Sequence, residues 1–185
     1  MKTQIPLLLI VVIIISCVPF SEPKSKMLNP KTNYFNANNK FEITVISDTN
    51  VNADTLKSLL VVPNGDYFYE MGKNLGYFNE VMTYNQLHDK ILELGDTLDL
   101  RLVSPDKLKL NKAAKMFKPF VIMKEPNLYL DENNAFMAGI TIYDPLRGET
   151  IFQNKMFTKN SLFINNKKIL LPLYNNFLDY LRKQK

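Results

Sequence analysis

Hydrophobic positions divide the chain into a short apolar leader, a polar stretch without pattern and a long patterned body. Residues 7–15 form an unbroken apolar run. Between residues 18 and 39 the apolar positions follow no period, and three prolines interrupt any helix. From residue 40 onward the apolar positions recur every two residues or every three to four, the periods of strands and helices. The pattern predicts a leader at 1–16, a flexible tether at 17–39 and one folded domain at 40–185.

Four segments of the body combine an apolar stripe with the end signals of a helix. Asp66 is a candidate cap for the first, and Gly76 follows its last apolar position. The second begins at Thr83 and Gln86, which have the spacing of a capping box, and stops at Gly95. The predicted helices cover residues 66–75, 84–94, 104–117 and 172–183.

Alternating or continuous apolar runs predict the strands. They cover residues 41–45, 78–82, 120–130, 135–143 and 150–157. The last three are separated by turn-forming residues at 131–134 and 144–148, which favours an antiparallel meander. Together the elements predict an α+β fold, in which helices pack against a single mixed, largely antiparallel sheet of about four to five strands.

The apolar leader ends at Cys17, the one cysteine in the chain. Nine apolar residues are too short to cross a hydrocarbon core of about 30 Å, but they match the central region of a signal peptide. Ordinary signal cleavage requires small residues one and three positions before the cut, and a cut after Ser16 would place the bulky Ile14 at the third position. The lone cysteine also means that the mature domain contains no disulfide.

Residues Ile14-Ile15-Ser16-Cys17 resemble the lipobox of bacterial lipoproteins. The resemblance implies that Cys17 becomes the first residue, receives diacylglycerol and is acylated at its amino terminus. Several acyl chains hold a protein durably on a bilayer. Val18 stands where Asp would retain a Gram-negative lipoprotein in the inner membrane, so the resemblance implies an outer-membrane location facing the periplasm. An uncleaved anchor and ordinary secretion are the alternatives.

Composition is that of a globular protein, with 46% hydrophobic and 22% charged residues. Without the leader, 22 basic and 18 acidic side chains leave a net charge of +4. This excess is mild and scattered, whereas a nucleic-acid-binding protein concentrates basic residues on one face. We therefore expect no nucleic-acid partner.

Motifs for catalysis are missing from the sequence. His88 is the only histidine and lies within a predicted helix, so a catalytic triad or zinc site lacks members. No glycine-rich phosphate loop is present. Asp89, Glu93 and Asp96 gather near one helix end, where we expect solvated carboxylates rather than an acid–base pair. We expect no cofactor and no enzymatic activity.

One segment has the oxygen-rich spacing of a calcium loop. Its members alternate along the chain: Asp48, Asn50, Asn52 and Asp54. Ala53 replaces the glycine that makes the sharp turn of such a loop, and Leu59 replaces the bidentate glutamate. The alternative interpretation is a turn leading into a helix capped by Asp54.

A basic amphipathic stretch is the clearest candidate surface for binding. Its lysines are Lys107, Lys109, Lys112, Lys115 and Lys118. Such a stretch binds anionic membranes or acidic partners, or forms the hydrated face of a helix that packs on a sheet. Tyr67, Tyr69 and Tyr77 are further candidate anchors if they are exposed.

Residues 66–94 also resemble small α/β modules of envelope lipoproteins, through an apolar helix, Gly76, an aromatic residue, Asn79-Glu80-Val81 and a second capped helix. The N-terminal domain of TolB, the curli secretion lipoprotein CsgG and the penicillin-binding-protein activator LpoB have this pattern. The resemblance implies a non-enzymatic module that binds another envelope protein. A lipid-anchored hydrolase or small-ligand binder is the alternative.

Overall fold

The computed structural model describes residues 28–37, 41–95, 107–124, 126, 128–130, 132, 136–158 and 170–184. Its strands are β1 (Ile43–Asp48), β2 (Leu59–Val62), β3 (Glu80–Thr83), β4 (Val121–Lys124), β5 (Leu128–Leu130), β6 (Phe136–Asp144) and β7 (Glu149–Phe157). Its helices are α1 (Ala53–Lys57), α2 (Asp66–Asn74), α3 (Tyr84–Glu93), α4 (Lys107–Met116) and α5 (Leu171–Lys183). The predicted leader and Cys17 lie outside the described residues.

All seven strands form one mixed sheet in the order β1-β7-β6-β4-β2-β3, with β5 paired to β6. Strand β2 runs parallel to β3 and β4, and the remaining pairs are antiparallel. The predicted α+β class, the mixed sheet and the meander of β4, β6 and β7 are confirmed. Within the described residues the sheet has seven strands, somewhat more than the four to five predicted.

Strand β2 accounts for part of that difference, because no strand was predicted at residues 59–62. All four of its side chains are buried. Leu60 and Val62 face one hydrophobic cluster, and Leu59 and Val61 face the other. A strand covered on both faces shows no alternation of apolar and polar residues, so the period-two signal is lost.

The sheet separates two helical layers. We call helices α1, α2 and α5, with the cluster beneath them, the α5 layer. Helices α3 and α4 pack on the opposite face through Leu87, Ile91 and Leu110 and form the α4 layer.

The ends of α2 and α3 follow the predicted signals with one correction, and the predicted start of the following helix at residue 104 lies outside the described residues. Thr83 and Gln86 form the reciprocal hydrogen bonds of a capping box at the start of α3. Gly76 and Gly95 follow α2 and α3 with φ of 61° and 79°, a region that glycine adopts at no steric cost. Asp66 is the first residue of α2 rather than its cap, since Gly65 occupies that position without a side-chain bond.

The predicted tether needs correction over residues 28–37. A bridge between Leu28 and Phe35 closes a small hairpin that packs on α5. Phe35 is only 2% exposed, and Asn175 clamps its backbone: Asn175 Oδ1 accepts from Phe35 N at 2.7 Å and Asn175 Nδ2 donates to Phe35 O at 3.0 Å. The folded unit therefore begins before residue 40. The aromatic pair Tyr34-Phe35 was the sequence signal for this packing.

None of the helices within the described part of the chain has both the length and the hydropathy of a membrane span.

Candidate functional site

The segment predicted as either a calcium loop or a turn caps a helix. Asn52 Oδ1 accepts from Asp54 N at 2.9 Å and from Thr55 N at 3.2 Å, so Asn52, rather than the predicted Asp54, caps α1. Its side-chain oxygen is occupied by these two donors. Arg147 Nη1 donates to Asn50 O at 3.3 Å and brings a positive charge to the same loop.

The other two members of the predicted calcium loop, Asp48 and Asp54, have exposed side chains. Across the described ranges, no three His, Cys, Asp or Glu side chains come together in a way that could hold a metal ion. The hydrogen bonds of the segment fit the turn interpretation, and the calcium loop gains no support from them.

A small cavity lies beside this cap. It has a volume of about 190 Å³. Its wall consists of Val51, Asn52, Thr55, Leu56, Val121, Asp144, Leu146 and Arg147. The cavity was not predicted, because its two charged residues, Asp144 and Arg147, belong to a segment that the sequence marks only as a turn. The sequence feature that could have indicated the cavity is Asp144, a carboxylate that directly follows the apolar run at residues 135–143.

Asp144 is only 5% exposed at the end of β6. Its Oδ1 atom accepts from the backbone nitrogens of Leu146, at 2.9 Å, and Arg147, at 3.2 Å. Arg147 is exposed, and its guanidinium pairs with Glu149 at 2.7 Å. The carboxylate therefore organises the β6–β7 turn while its residue also lines the cavity. The wall thus combines apolar side chains with one carboxylate and one guanidinium, so its two charges balance.

The single histidine, His88, lies on the helix α3 that also carries Asp89 and Glu93. His88 is half-buried on α3, and its Nδ1 atom is buried without a hydrogen-bond partner among described residues. Asp89 and Glu93 are exposed, and Glu93 pairs with Lys90 at 2.7 Å. Asp96, the third predicted carboxylate, lies outside the described residues.

Helix α4 has a buried face of small side chains and an exposed face that mixes apolar and basic side chains. Leu110, Ala113 and Ala114 pack on the sheet. Positions spaced by three and four residues share a helix face. On the exposed face, Leu108 is 79% exposed and Met116 is 38% exposed, with exposed lysines between them. We call Leu108, Lys112, Lys115 and Met116 the α4 stripe.

The five predicted lysines divide between this surface and contacts within the domain. Lys118 is half-buried and forms an ion pair with Glu80 of β3. Lys107 and Lys124 both lie over the ring of Tyr143, with ammonium-to-centroid distances of 5.8 and 5.5 Å. Lys112 and Lys115 have exposed side chains, whereas Lys109 is half-buried. The sequence indicated the lysines, but it did not indicate that Leu108 would be left in solvent.

The three predicted tyrosine anchors are half-buried rather than exposed. Tyr67, Tyr69 and Tyr77 pack against the cluster of the α5 layer. Burial, with a smaller contribution from the charge of Asp54, raises the pKa of Tyr77. These side chains belong mainly to the packed layer.

No protein-family model matches the chain, and no curated protein matches it. Solved structures with low similarity to the chain include two of one protein. One is the PelC dodecamer from Paraburkholderia phytofirmans, with 12% identity and a TM-score of 0.37. The other is a single-residue variant of that dodecamer, with 10% identity and the same TM-score. Each match covers 79% of this chain and 100% of the other, and likeness at this level carries no argument about function.

Proposed function

We propose that the chain is a lipid-anchored envelope protein whose domain binds another envelope protein and catalyses no reaction. The observation that carries the proposal is the lipobox-like sequence ending at Cys17, directly behind an apolar run of nine residues. A leader of this length fits secretion rather than membrane spanning. In a Gram-negative cell the protein would face the periplasm from the outer membrane.

The packed hairpin supports an anchored arrangement. Ten residues, 18–27, separate Cys17 from Leu28, where the described fold begins. Ten residues span at most about 36 Å. Lipid on Cys17 would therefore keep the domain close to the membrane surface, where its exposed side chains meet other envelope proteins.

Metabolic labelling tests the anchor. Cells expressing the full chain are grown with labelled palmitate, and the protein is recovered from separated membrane fractions. We expect label in the natural chain, with the protein in the membrane fraction, and loss of both in Cys17→Ser. Ser21→Thr, downstream of the lipobox-like sequence, is a conservative control that leaves the motif and the cysteine unchanged. An unlabelled natural chain, or a chain retained in the cytoplasm, would contradict the proposal.

The cavity beside α1 supports a second candidate, a lipid-anchored protein that binds a small ligand. Asp144 places a nearly buried carboxylate in the wall of a space of about 190 Å³. Thermal unfolding in the presence of small amines and amino acids tests this candidate. A ligand at one hundred times its Kd stabilises the folded state by about 2.7 kcal/mol. That gain should appear in the natural chain and be lost in Asp144→Asn; no stabilisation by any compound would contradict a site for small amines or amino acids.

A further inference from the structure

We propose that the Asn64-Gly65 pair is a site of self-modification, at which Asn64 converts to aspartate or isoaspartate and the start of α3 assists the reaction. The proposal is independent of the lipid anchor, because it concerns only the junction of β2, α2 and α3. Two observations carry it. One is the unpaired backbone nitrogen of Gly65, and the other is the contact between the side chain of Asn64 and Asn85.

Asn64 and Gly65 form the only Asn-Gly pair in the chain. Both residues are exposed in the connection between β2 and α2. Gly65 has φ of 118°, which residues with a side chain rarely adopt, and the space beside its α-carbon is open, since an added methyl group would meet no atom within 4 Å. Among the hydrogen bonds of the described residues, none uses Gly65 N. This nitrogen is therefore unpaired and lies in an exposed, uncrowded connection.

The proposed reaction begins at this nitrogen. Gly65 N loses its proton to hydroxide and attacks Cγ of Asn64, which gives a tetrahedral intermediate with negative charge on Oδ1. When the intermediate collapses, the Cγ–Nδ2 bond breaks, and ammonia leaves with a proton taken from water. The succinimide ring that remains adds water at one of its two carbonyl carbons. One opening gives aspartate, and the other gives isoaspartate, in which the main chain runs through the former side chain.

The first turn of α3 holds the oxygen on which the charge develops. Asn85 N donates to Asn64 Oδ1 at 3.0 Å, and Asn64 Nδ2 donates to Asn85 Oδ1 at 3.1 Å. Asn85 is the second residue of α3, where free backbone N–H groups and the helix dipole favour negative charge. A donor that already faces the oxygen stabilises the charged intermediate, as in an oxyanion hole. The fold therefore favours the reaction at Asn64.

The two products differ in their effect on the junction. Aspartate at position 64 keeps an acceptor for Asn85 N and brings a full negative charge to the start of α3, where it is favourable. Isoaspartate adds one carbon atom to the main chain between Pro63, which is buried, and Gly65. The end of β2 must then shift against the start of α2. We expect the aspartate form to keep the stability of the fold and the isoaspartate form to lose part of it.

Mass spectrometry of aged protein tests the proposal. The full-length protein is incubated at neutral pH, either folded or unfolded in urea, and is then digested with trypsin. Cleavage after Lys57 and Lys73 gives peptide 58–73, in which Asn64 is the only amide side chain, so a mass increase reports Asn64 alone. Conversion should be about three times faster or more in the folded protein, because only the folded chain holds Asn85 N against Oδ1. Peptide 74–90, in which no asparagine precedes glycine, is the internal control and should stay unchanged.

Variants at position 85 separate the backbone N–H from the side chain. Asn85→Pro removes the N–H that faces Asn64 Oδ1 and should slow conversion about tenfold, the rate equivalent of one hydrogen bond to a charged group. Proline fits this position of a helix, since Pro172 is the second residue of α5. Asn85→Ala keeps the N–H and removes only the side-chain acceptor, so conversion should be at least as fast as in the natural chain. Circular dichroism verifies the fold of each variant.

Three results would overturn the proposal: no mass increase in peptide 58–73, conversion no faster in the folded than in the unfolded chain, or equal rates in Asn85→Pro and Asn85→Ala. If Asn85→Pro does not fold, the comparison of folded and unfolded natural chain decides. Urea denaturation checks the products. Asn64→Asp should have the midpoint of the natural chain, whereas protein that carries isoaspartate should unfold at a lower urea concentration; the reverse order would contradict the assigned effects.

Discussion

The two helical layers cover the same sheet with different kinds of side chain. In the α5 layer, aromatic rings pack against one another. The ring centroid of Phe177 lies 5.1 Å from that of Phe152 and 6.0 Å from that of Tyr180. In the α4 layer, α4 contributes one leucine and two alanines to the buried contact. The α5 layer also holds the N-terminal hairpin, whereas the α4 layer leaves Leu108 and Met116 in solvent.

This difference predicts unequal contributions of the two layers to stability. Large buried aromatic side chains contribute most to the hydrophobic stabilisation of a domain, and their contacts leave little freedom for substitution. A helix held by small side chains keeps its outer face free to vary without loss of folding. The comparison predicts that substitutions among the buried rings of the α5 layer lower stability strongly and that substitutions on the α4 stripe change it little.

The largest effect is expected from Phe177→Ala. Phe177 is fully buried between Phe152 and Tyr180, so the change leaves a cavity among rings that cannot collapse to fill it. The free energy of unfolding should fall by about 3–5 kcal/mol, measured by urea denaturation. A loss below about 1 kcal/mol would show that the α5 layer is not the stabilising side.

Asn154 connects the sheet to α5 through polar contacts within the same layer. It is 1% exposed; its Oδ1 accepts from Ile140 N at 3.1 Å, and its Nδ2 donates to Leu173 O at 3.0 Å. Asn154→Ala leaves these buried groups without partners and should cost about 1–3 kcal/mol of unfolding free energy. Gln153→Ala, on the neighbouring half-buried position, is the control and should cost clearly less.

Release of the hairpin is the next test. Asn175→Ala removes both bonds that clamp Phe35, at an expected cost of about 1 kcal/mol each. Amide hydrogen exchange should rise in residues 28–37 and stay unchanged in β6 and β7. Unchanged exchange in the hairpin would mean that Phe35 is held by its apolar contacts alone.

High pH should weaken the α5 layer. Burial raises the pKa of Tyr180, whose hydroxyl donates to Thr49 O at 2.9 Å, and of Tyr174. A hydrogen bond to Asp179 is the main cause that raises the pKa of Tyr34. Because the unfolded chain loses these protons near pH 10 and the folded chain retains them, stability is complete below pH 10 and falls as the pH rises above it. Urea denaturation at pH 8, 10 and 11 measures the fall, and Tyr180→Phe should make it shallower.

The smallest effect on folding is expected on the α4 stripe. Leu108→Ser changes a side chain that is 79% exposed, so the free energy of unfolding should change by less than about 0.5 kcal/mol. Leu110→Ser, two positions along the same helix and 2% exposed, is the matched control and should destabilise strongly. Equal effects of the two changes would remove the distinction between the buried and the exposed face of α4.

Local signals predicted much of the fold. The capping box at Thr83, the glycines after α2 and α3, and the turn at residues 144–148 act within a few residues, so one sequence is enough to recognise them. Apolar stripes likewise marked the buried faces of α2, α3 and α5. Among the candidate sites, the sequence indicated the lysines of α4 and the oxygen-rich segment before α1.

Long-range contacts decided the rest. Strand β2 is a strand because β3 and β4 pair with it from distant parts of the chain. Phe35 is buried because Asn175, 140 residues away, binds its backbone. The cavity joins Asp144 to α1, and the solvent exposure of Leu108 follows from the side of α4 that faces the sheet. Sequence determines what each segment prefers locally, but which surfaces are covered depends on partners that only the folded chain brings together.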